Sequence, residues 1–284
     1  MTEPRVSIVI PCFNGGRDLP ETLASLERQT CRDFETIIVD DGSTDPETLA
    51  LLETLPSGIQ VLRQENRGLP AARNAGFRQA RGVFLLPLDC DDQLEPGFLE
   101  NGLAVLGANP QIDFVFAQMR LTGELSGVTS KAYNPFVQLF LNQLPYCLLM
   151  RRRVWEEAGG YDESMRRGYE DWEFNIRLSK ASRHGMALER PLFVYRVRKS
   201  GMLNSISRES HAQLWRFIQN KHPELYRLDA LLALKRAWAS SPAPYPAFLL
   251  FGLLMLHKIL PHRLFNALYA RLLAFSASKR AEGA

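Results

Sequence analysis

The feature of the sequence that most constrains its fold is a regular alternation of short apolar runs and helical segments over residues 6–89. The apolar runs, rich in the β-branched side chains that favour strands, are residues 6–13, 34–40, 59–64 and 82–89. Between them lie segments with apolar residues at helical spacing, at 18–29, 45–55 and 69–80. This alternation predicts a Rossmann-like α/β fold, because parallel neighbouring strands need crossover helices.

The first predicted helix, 18–29, also carries an N-terminal signal. Asp18 is the expected N-cap, and Glu21 follows three residues later, as in a capping box. The run at 6–13 is interrupted by Pro11, where we expect the first strand to stop.

After residue 110 the alternation is less regular. Residues 113–121 and 191–198 are predicted strands, residues 172–182 a predicted helix, and residues 122–145 a loop-rich stretch. From residue 209 the chain is expected to be helical. We therefore predict an α/β domain at 1–208 and a basic, helical C-terminal region at 209–284.

Charge is distributed unevenly along the chain. Residues 1–211 carry 24 Lys and Arg against 28 Asp and Glu, whereas residues 212–284 carry 10 against 3. The overall charge of +3 is too small to indicate nucleic-acid binding. The four cysteines are scattered without metal-ligand spacing, which fits a reducing, cytoplasmic compartment, and the N-terminus is expected to be a strand rather than a signal peptide.

Acidic residues follow two of the predicted strands. Asp40 and Asp41 follow the run at 34–40, and the run at 82–89 ends in the cluster Asp89, Asp91 and Asp92. The carboxyl ends of parallel strands meet at the edge of the sheet where ligands bind. An isolated acid pair there is often a helix cap or a solvated loop. Three acids in four positions repel one another, however, and a divalent cation such as Mg²⁺ or Mn²⁺ relieves that repulsion.

Several nucleotide-binding motifs are missing. The first strand is followed by PCFNGG instead of the G-x-G-x-x-G of dinucleotide-binding folds, and no G-x-x-x-x-G-K-[ST] loop occurs. The glycine-rich loop of sugar nucleotidyltransferases is also missing, which weakens the alternative of a sugar-nucleotide pyrophosphorylase.

Five ordered motifs carry a resemblance to a known family. VSIVIPCFN, IIVDDGSTD, NRGLPAARNAG, LLPLDCDD and GYEDWEFNIRL resemble the motifs of glycosyltransferase family 2 in order and spacing. The resemblance covers roughly residues 5–200. It implies the GT-A fold of the nucleotide-diphospho-sugar transferases, with a mixed, mostly parallel sheet flanked by helices, and an inverting transfer mechanism.

The resemblance implies a nucleotide site at the ends of the first two strands. Pro11, Phe13 and Asn14 would line it, with Phe13 stacking on the base, although core packing is the alternative for an aromatic residue here. Asp41 would accept the N3–H of a uracil-like base, the alternative being an Asx turn into the following GST. A UDP-sugar is therefore favoured over dTDP- and GDP-sugars.

The resemblance also implies roles for charged residues around the diphosphate. Arg73 would point toward the nucleotide, the alternative being a solvated helix surface. Asp91 would hold Mn²⁺ or Mg²⁺ directly, Asp89 would contact the ribose or the metal, and Asp92 would support them. Arg198 stands where the family often has a histidine, so a third protein ligand is in doubt, and this arginine would contact the diphosphate instead.

The candidate catalytic pair is Glu170–Asp171. By resemblance Asp171 is the base that takes the proton of the acceptor hydroxyl, and Glu170 orients the acceptor or raises the pKa of the base. The alternative is structural, because acids are favoured at the start of a helix by its dipole.

The C-terminal region contains AFLLFGLLML at 247–256, which is too short to span a bilayer. A second apolar segment, LFNALYARLLAF, follows Pro261. Two short apolar helices in a basic region suit contact with the inner face of an anionic membrane. The alternative is packing on the catalytic domain or another subunit.

These observations favour a metal-dependent inverting glycosyltransferase that moves a sugar to a hydroxyl of a glycan or lipid-linked acceptor in surface polysaccharide biosynthesis. The alternatives are a non-catalytic sugar-nucleotide-binding module recruited to a membrane assembly, and a pyrophosphorylase.

Overall fold

The structure, a computed structural model, describes residues 3–198 and 210–271 of the 284-residue chain. Within this part the strands belong to one sheet. They are β1 (Val6–Cys12), β2 (Phe34–Asp40), β3 (Ile59–Arg63), β4 (Phe84–Pro87), β5 (Gln93–Leu94), β6 (Phe114–Gly123), β7 (Gly127–Thr129), β8 (Leu149–Arg151) and β9 (Gly185–Val197).

The helices follow the strands in alternation through the first half of the chain. They are α1 (Leu19–Glu27), α2 (Pro46–Glu53), α3 (Leu69–Gln79), α4 (Phe98–Ala108), α5 (Pro135–Gln138), α6 (Arg152–Ala158), α7 (Glu170–Lys180), α8 (His211–Lys221), α9 (Leu228–Ala237) and α10 (Ala247–Ile259). A 3-10 helix spans Pro223–Tyr226, and residues 262–271 are helical as well.

The sheet has the order β3-β2-β1-β4-β8-β6-β9-β5, with β7 paired to β6. Strands β3, β2, β1 and β4 are parallel, and β6 pairs with β9 in parallel, while β4–β8, β8–β6 and β9–β5 are antiparallel. The predicted mixed, mostly parallel sheet flanked by helices is thus confirmed. The chain runs from β1 through β2 to β3 on one side and then returns to the other side of β1 as β4.

Strand β1 lies at the centre of the parallel part, and every one of its residues is buried. Helix α3 packs tightly on β1 and β2 at Gly76, where an added Cβ would lie 2.3 Å from Val9 Cγ1. Burial on both faces explains why the run, apart from Ser7, is apolar instead of alternating.

Strand β1 differs from its prediction in continuing through Pro11 to Cys12. The N–H of Leu88 donates to the carbonyl of Val9, so the backbone of Val9 faces β4. Because every second residue of a strand faces the same neighbour, the backbone of Pro11 faces this side as well. The paired part of β4 ends opposite Val9, at Pro87. The missing N–H of Pro11 therefore removes no ladder hydrogen bond.

The C-terminal helices pack on α5 and α7 through an aromatic-rich cluster that includes Phe140, Trp172, Trp215, Leu250 and Phe265. The predicted helical character from residue 209 is confirmed where the chain is described, whereas residues 199–209 and 272–284 of the predicted regions lie outside the described residues. None of the helices within 3–198 and 210–271 combines the length and apolarity needed to cross a bilayer. The division of the chain at residue 208 stays a prediction.

Candidate active site

The candidate site lies at the carboxyl ends of β1, β2 and β4. The parallel pairing of these strands brings together the residues that follow them, Phe13, Asp41 and Asp89. The order reverses between β1 and β4, and such a switch point opens a crevice for ligands in α/β sheets.

Phe13 is an exposed aromatic residue at this edge, with 51% of its surface accessible. Core packing, the alternative for this residue, is therefore wrong. The following Asn14 adopts a left-handed conformation with φ 52°, and its Oδ1 accepts the N–H groups of Thr44 and Asp45. Asn14 thus ties the loop after β1 to the loop after β2 and holds Phe13 at the crevice.

Asp41 is a buried carboxylate that organises the loop between β3 and α3. Its Oδ1 accepts from Gln64 Nε2 at 2.7 Å and from the Arg67 N–H at 2.8 Å, and its Oδ2 accepts from the Gly68 N–H at 2.8 Å. Gly68 has φ 90°, a conformation that favours glycine. Two carboxylate oxygens offer about four acceptor positions, so one further donor can be accommodated. The role of Asp41 in base recognition stays a prediction.

Tyr146 lies beneath the acidic cluster, and its hydroxyl connects two members of the cluster. Its hydroxyl donates to Asp92 Oδ2 at 2.5 Å and accepts from the backbone N–H of Asp89 at 2.9 Å. Asp92 Oδ1 accepts the N–H of Arg196 on β9 at 2.7 Å. Burial and the neighbouring Asp91 raise the pKa of Asp92 well above its usual range. These contacts favour the supporting role predicted for Asp92 over direct contact with a metal.

Asp89 and Asp91 are both partly exposed, as ligand-binding acids would be. Burial and the adjacent charge of Asp89 raise the pKa of Asp91 to about 6, so the pair gains from a nearby cation. Among residues 3–198 and 210–271, no three His, Cys, Asp or Glu side chains gather closely enough to hold a metal ion. Two carboxylates nevertheless fit Mg²⁺ or Mn²⁺, which commonly take their remaining ligands from phosphate oxygens and water.

Arg198 lies beside this acid pair at the end of β9. Its Nη2 is 2.5 Å from Asp18 Oδ1, and its Nε is 3.4 Å from Asp91 Oδ2. Arg196 also pairs with Asp18, at 3.0 Å. The predicted capping role of Asp18 is wrong, because its side chain makes no cap hydrogen bond to α1 and is drawn instead to the two guanidinium groups. Asp18 thereby holds Arg198 next to the candidate diphosphate position.

Arg73 connects the acidic cluster with α7. Although it lies in a helix, its side chain is only 1% exposed, so the alternative of a solvated surface residue is wrong. Nη2 donates to Asp89 Oδ1 at 2.7 Å, and Nη1 donates to Glu170 Oε1 at 2.8 Å. The guanidinium also lies 4.8 Å from the ring centre of Tyr146 and 5.5 Å from that of Tyr161. One guanidinium group thus joins Asp89, predicted for the donor site, to Glu170, predicted for the catalytic pair.

Glu170 and Asp171 form the first turn of α7, directly after Tyr169, which has φ 66°. Burial raises the pKa of Glu170 to about 7; Arg73 opposes this shift, and Asp171 adds to it. Burial also raises the pKa of Asp171, against the influence of Arg73. Asp171 is partly exposed, so it combines access from the crevice with the raised pKa of a general base.

Asn142 fixes the orientation of Asp171. Its Nδ2 donates to Asp171 Oδ2 at 2.8 Å, while its Oδ1 accepts from Gln138 Nε2 at 2.9 Å and from Asn175 Nδ2 at 3.3 Å. The two donors to Oδ1 set the amide orientation, so its NH₂ faces the carboxylate. The backbone N–H of Trp172 holds the other oxygen of Asp171 at 2.7 Å.

Glu173, the third acid of this helix, has a different environment. It is fully buried, yet hydrogen bonds from His222 and Arg177 overcome the effect of burial and lower its pKa to about 2. Lys221 also lies 2.8 Å from its Oε1. Glu173 is therefore an anion whose charge is balanced by its neighbours and whose role is structural. The candidate catalytic acids are Glu170 and Asp171.

Tyr146, Asn142 and Asp18 are parts of this site that the sequence alone did not indicate. The first two lie in or next to the stretch 122–145, where no periodic pattern marks an element. Their partners are 54, 57 and 29 positions away, so no local spacing could have indicated them.

Comparisons with known proteins agree with this geometry. The family described as Glycosyl transferase family 2 matches residues 7–166. A PGL/p-HBAD biosynthesis glycosyltransferase of Mycobacterium tuberculosis is 35% identical over 185 residues, which cover 62% of this chain and 70% of the relative. Chondroitin synthase of Escherichia coli is 30% identical over 185 residues, covering 62% of this chain and 27% of that protein.

Solved structures show the same fold. A fragment of TarS from S. aureus in complex with UDP-GlcNAc has a TM-score of 0.63 and 21% identity, with coverage of 75% of this chain and 65% of the fragment. A mannosyltransferase from Pyrobaculum calidifontis in complex with GDP-Man and Mn²⁺ has a TM-score of 0.60 and 19% identity, with coverage of 98% and 87%. The match over residues 7–166, more than half of the chain, confirms the resemblance seen in the motifs. The chain belongs to glycosyltransferase family 2 and is a glycosyltransferase of the GT-A fold.

Proposed function

We propose that this protein is a metal-dependent inverting glycosyltransferase that uses a UDP-sugar and has Asp171 as its general base. The observation that carries the proposal is the bridge from Arg73 to Asp89 and Glu170. It holds the acids of the donor site and the acids of α7 in one cleft, as a single displacement between donor and acceptor requires.

The donor half of the cleft suits a nucleoside diphosphate. Phe13 offers an exposed ring for stacking, and Asp41 offers a carboxylate that selects a base with an imide N–H, as uracil has. Pro11 and Asn14 support the loop that carries Phe13. The TarS structure contains UDP-GlcNAc and the mannosyltransferase GDP-Man, which supports a nucleotide-sugar donor in general and leaves the preference for UDP to the base-binding residues.

The diphosphate would lie beside Arg198 and the acid pair Asp89 and Asp91. These two acids would hold Mn²⁺ or Mg²⁺, with Asp92 supporting their loop. When bound, such a cation supplies positive charge that offsets the charge developing on the departing diphosphate. Arg198, whose Nε lies 3.4 Å from Asp91 Oδ2, would add a further positive charge beside the diphosphate.

Asp171 would take the proton of the acceptor hydroxyl. The acceptor oxygen then bonds to the anomeric carbon while the bond from that carbon to the diphosphate oxygen breaks, so the nucleoside diphosphate leaves and configuration inverts. Glu170, adjacent and held by Arg73, would orient the acceptor or, when ionised, raise the pKa of Asp171 by like-charge repulsion.

The relatives support an acceptor in glycan or glycolipid biosynthesis. One is named for PGL/p-HBAD biosynthesis and another is chondroitin synthase. We therefore propose a hydroxyl of a growing surface glycan or of a lipid-linked glycan as the acceptor. The catalytic domain would be residues 1–208, and the basic region 209–284 would bring this cytoplasmic protein to the inner face of the membrane.

The proposal is tested by incubating the purified protein with a panel of UDP-, dTDP- and GDP-sugars in the presence of Mn²⁺. We expect slow release of UDP from one UDP-sugar, stopped by a chelator and restored by added Mn²⁺. Release that continues in the chelator would contradict metal dependence. Binding with no turnover for any acceptor would favour the non-catalytic module, and exchange of labelled pyrophosphate into UTP would favour the pyrophosphorylase.

A further inference from the structure

Helix α10 carries an exposed apolar face. The outer face of α10 is Phe248, Leu249, Gly252, Met255, Leu256 and Ile259, all exposed and spaced by three, four and seven positions. Phe248 and Ile259 are 72% and 70% exposed. Spacing of this kind places residues on one side of a helix, so the exposed residues form a continuous stripe.

The opposite side of the same helix is fixed to the protein. Leu250, Leu253, Leu254 and His257 are buried in the aromatic-rich cluster, and His257 Nε2 lies 2.8 Å from the carbonyl of Ala212. The helix is thus apolar on both sides, and packing on the protein accounts for only one of them. The alternative of packing on the catalytic domain therefore explains the inner side, whereas the outer face stays uncovered by residues 3–198 and 210–271.

The charged residues of the chain segment that contains α10 have one sign. Between residues 230 and 271 the sequence has no Asp or Glu, and its charged residues are Lys235, Arg236, Lys258, Arg263 and Arg271, all exposed. Lys258 lies on α10 itself, and Arg263 precedes the exposed Leu264 in the next helical segment. A second copy of this chain would bring like charges together across the contact, which is unfavourable.

We propose that the outer face of α10 docks on an anionic lipid surface, with its apolar side chains at the boundary of headgroups and acyl chains and the basic residues against lipid phosphates. Apolar side chains beside Lys and Arg are the combination that interfacial helices use. Each basic residue near an anionic leaflet adds to the attraction, and the attraction weakens with salt.

This docking rests on the proposed function through the acceptor, because it would hold the enzyme where lipid-linked acceptors are found. The link to the site is short: Trp172, next to Asp171, stacks on Trp215 at 6.2 Å, and Trp215 packs on His257 of α10 at 4.5 Å. The base helix and the docking helix therefore share one cluster.

Co-sedimentation of the full chain with vesicles tests the docking. Vesicles of phosphatidylcholine alone are compared with vesicles that also contain phosphatidylglycerol. We expect sedimentation with the anionic vesicles, weakened by salt, and a fall of at least about tenfold in the partition coefficient for Phe248→Ser/Ile259→Ser. The control pair Leu125→Ser/Val128→Ser, exposed in or next to β7, should bind as the wild type does.

Two results would overturn the docking: no sedimentation of the wild type, or equal loss for both variant pairs. A dimer in light scattering that Phe248→Ser/Ile259→Ser makes monomeric, without vesicle binding, would assign the face to a second copy instead. Sugar transfer to a water-soluble acceptor is measured in parallel and should be unchanged in Phe248→Ser/Ile259→Ser. A wild-type protein that transfers sugar but does not bind vesicles would overturn the docking alone, whereas a wild-type protein that binds vesicles but does not transfer sugar would contradict the proposed function alone.

Discussion

Arg73 donates to Asp89 at 2.7 Å and to Glu170 at 2.8 Å, and in doing so it joins the loop after β4 to the start of α7. The three residues come from parts of the chain that are 16 and 97 positions apart. The bridge is buried, so it serves both the stability of the fold and the arrangement of the site.

Replacing Arg73 with Met should strongly destabilise the protein, because it leaves two acids without their buried cation. We expect the free energy of unfolding, measured in urea, to fall by about 3–5 kcal/mol. Arg78→Met is the matched control on the same helix, since Arg78 is half exposed and its pair with Glu163 should contribute less than about 1 kcal/mol. Equal losses in the two variants would show that the bridge has no special role.

Phe13→Ala should weaken nucleotide binding without affecting the fold, because the ring is exposed at the crevice. Loss of stacking on a base corresponds to about 1–3 kcal/mol, or roughly 5- to 150-fold in the Kd for UDP. Calorimetry measures the Kd, with Phe217→Ala, an exposed phenylalanine of α8, as the control. An unchanged Kd for Phe13→Ala would remove the ring from the base site.

Asn142→Ala tests whether Asn142 acts by positioning Asp171. Without this hydrogen bond, kcat should fall roughly 10- to 100-fold, as expected for a hydrogen bond to a charged group. The KM for the donor should stay unchanged. In the wild type, the hydrogen bond from Asn142 lowers the pKa of Asp171. Because Asn142→Ala removes this bond, the pKa of Asp171 should rise, and the acid limb of kcat/KM should move to higher pH. Asn101→Ala, in α4, is the control, and a variant with reduced kcat but an unmoved acid limb would contradict this role.

The sequence predicts the parallel half of the sheet well, because β1, β2, β3 and β4 are buried on both faces or followed by clear turn and helix signals. The predicted parallel strands alone also place Phe13, Asp41 and Asp89 at one edge of the sheet. What it could not predict depends on distant partners. Asp18 has the spacing of a capping box, yet two arginines 178 and 180 positions away along the chain hold its side chain.

The same limit applies to burial. Nothing local distinguishes Asp91, partly exposed, from Asp92, which is buried against Tyr146 and the N–H of Arg196. Glu170 and Glu173 likewise both lie in the first turn of α7, and their environments differ. Burial raises the pKa of Glu170 to about 7 against the influence of Arg73, whereas His222, Arg177 and Lys221 overcome burial and lower the pKa of Glu173 to about 2.

The raised pKa of Glu170 predicts a pH dependence of stability. Its folded-state pKa of about 7 lies above the unfolded value of roughly 4.3, so the folded state binds the proton more tightly. The contribution of this group is most favourable below the unfolded pKa and is lost as pH rises toward the folded value. Glu170→Gln removes the titration, so its stability relative to the wild type should improve between pH 5 and pH 7.5. Glu156→Gln, an exposed acid of α6, should show no such trend, and a flat difference for Glu170→Gln would contradict the raised pKa.

The central claim is that Asp171 takes the acceptor proton, and Asp171→Asn tests it most directly. The amide keeps the size of the side chain but cannot accept that proton. The measurement pairs calorimetric binding of the UDP-sugar with the rate of transfer to acceptor. We predict an unchanged Kd for the donor and a transfer rate lower by about 10²- to 10⁴-fold. Transfer by Asp171→Asn at the wild-type rate would contradict the assignment of the base.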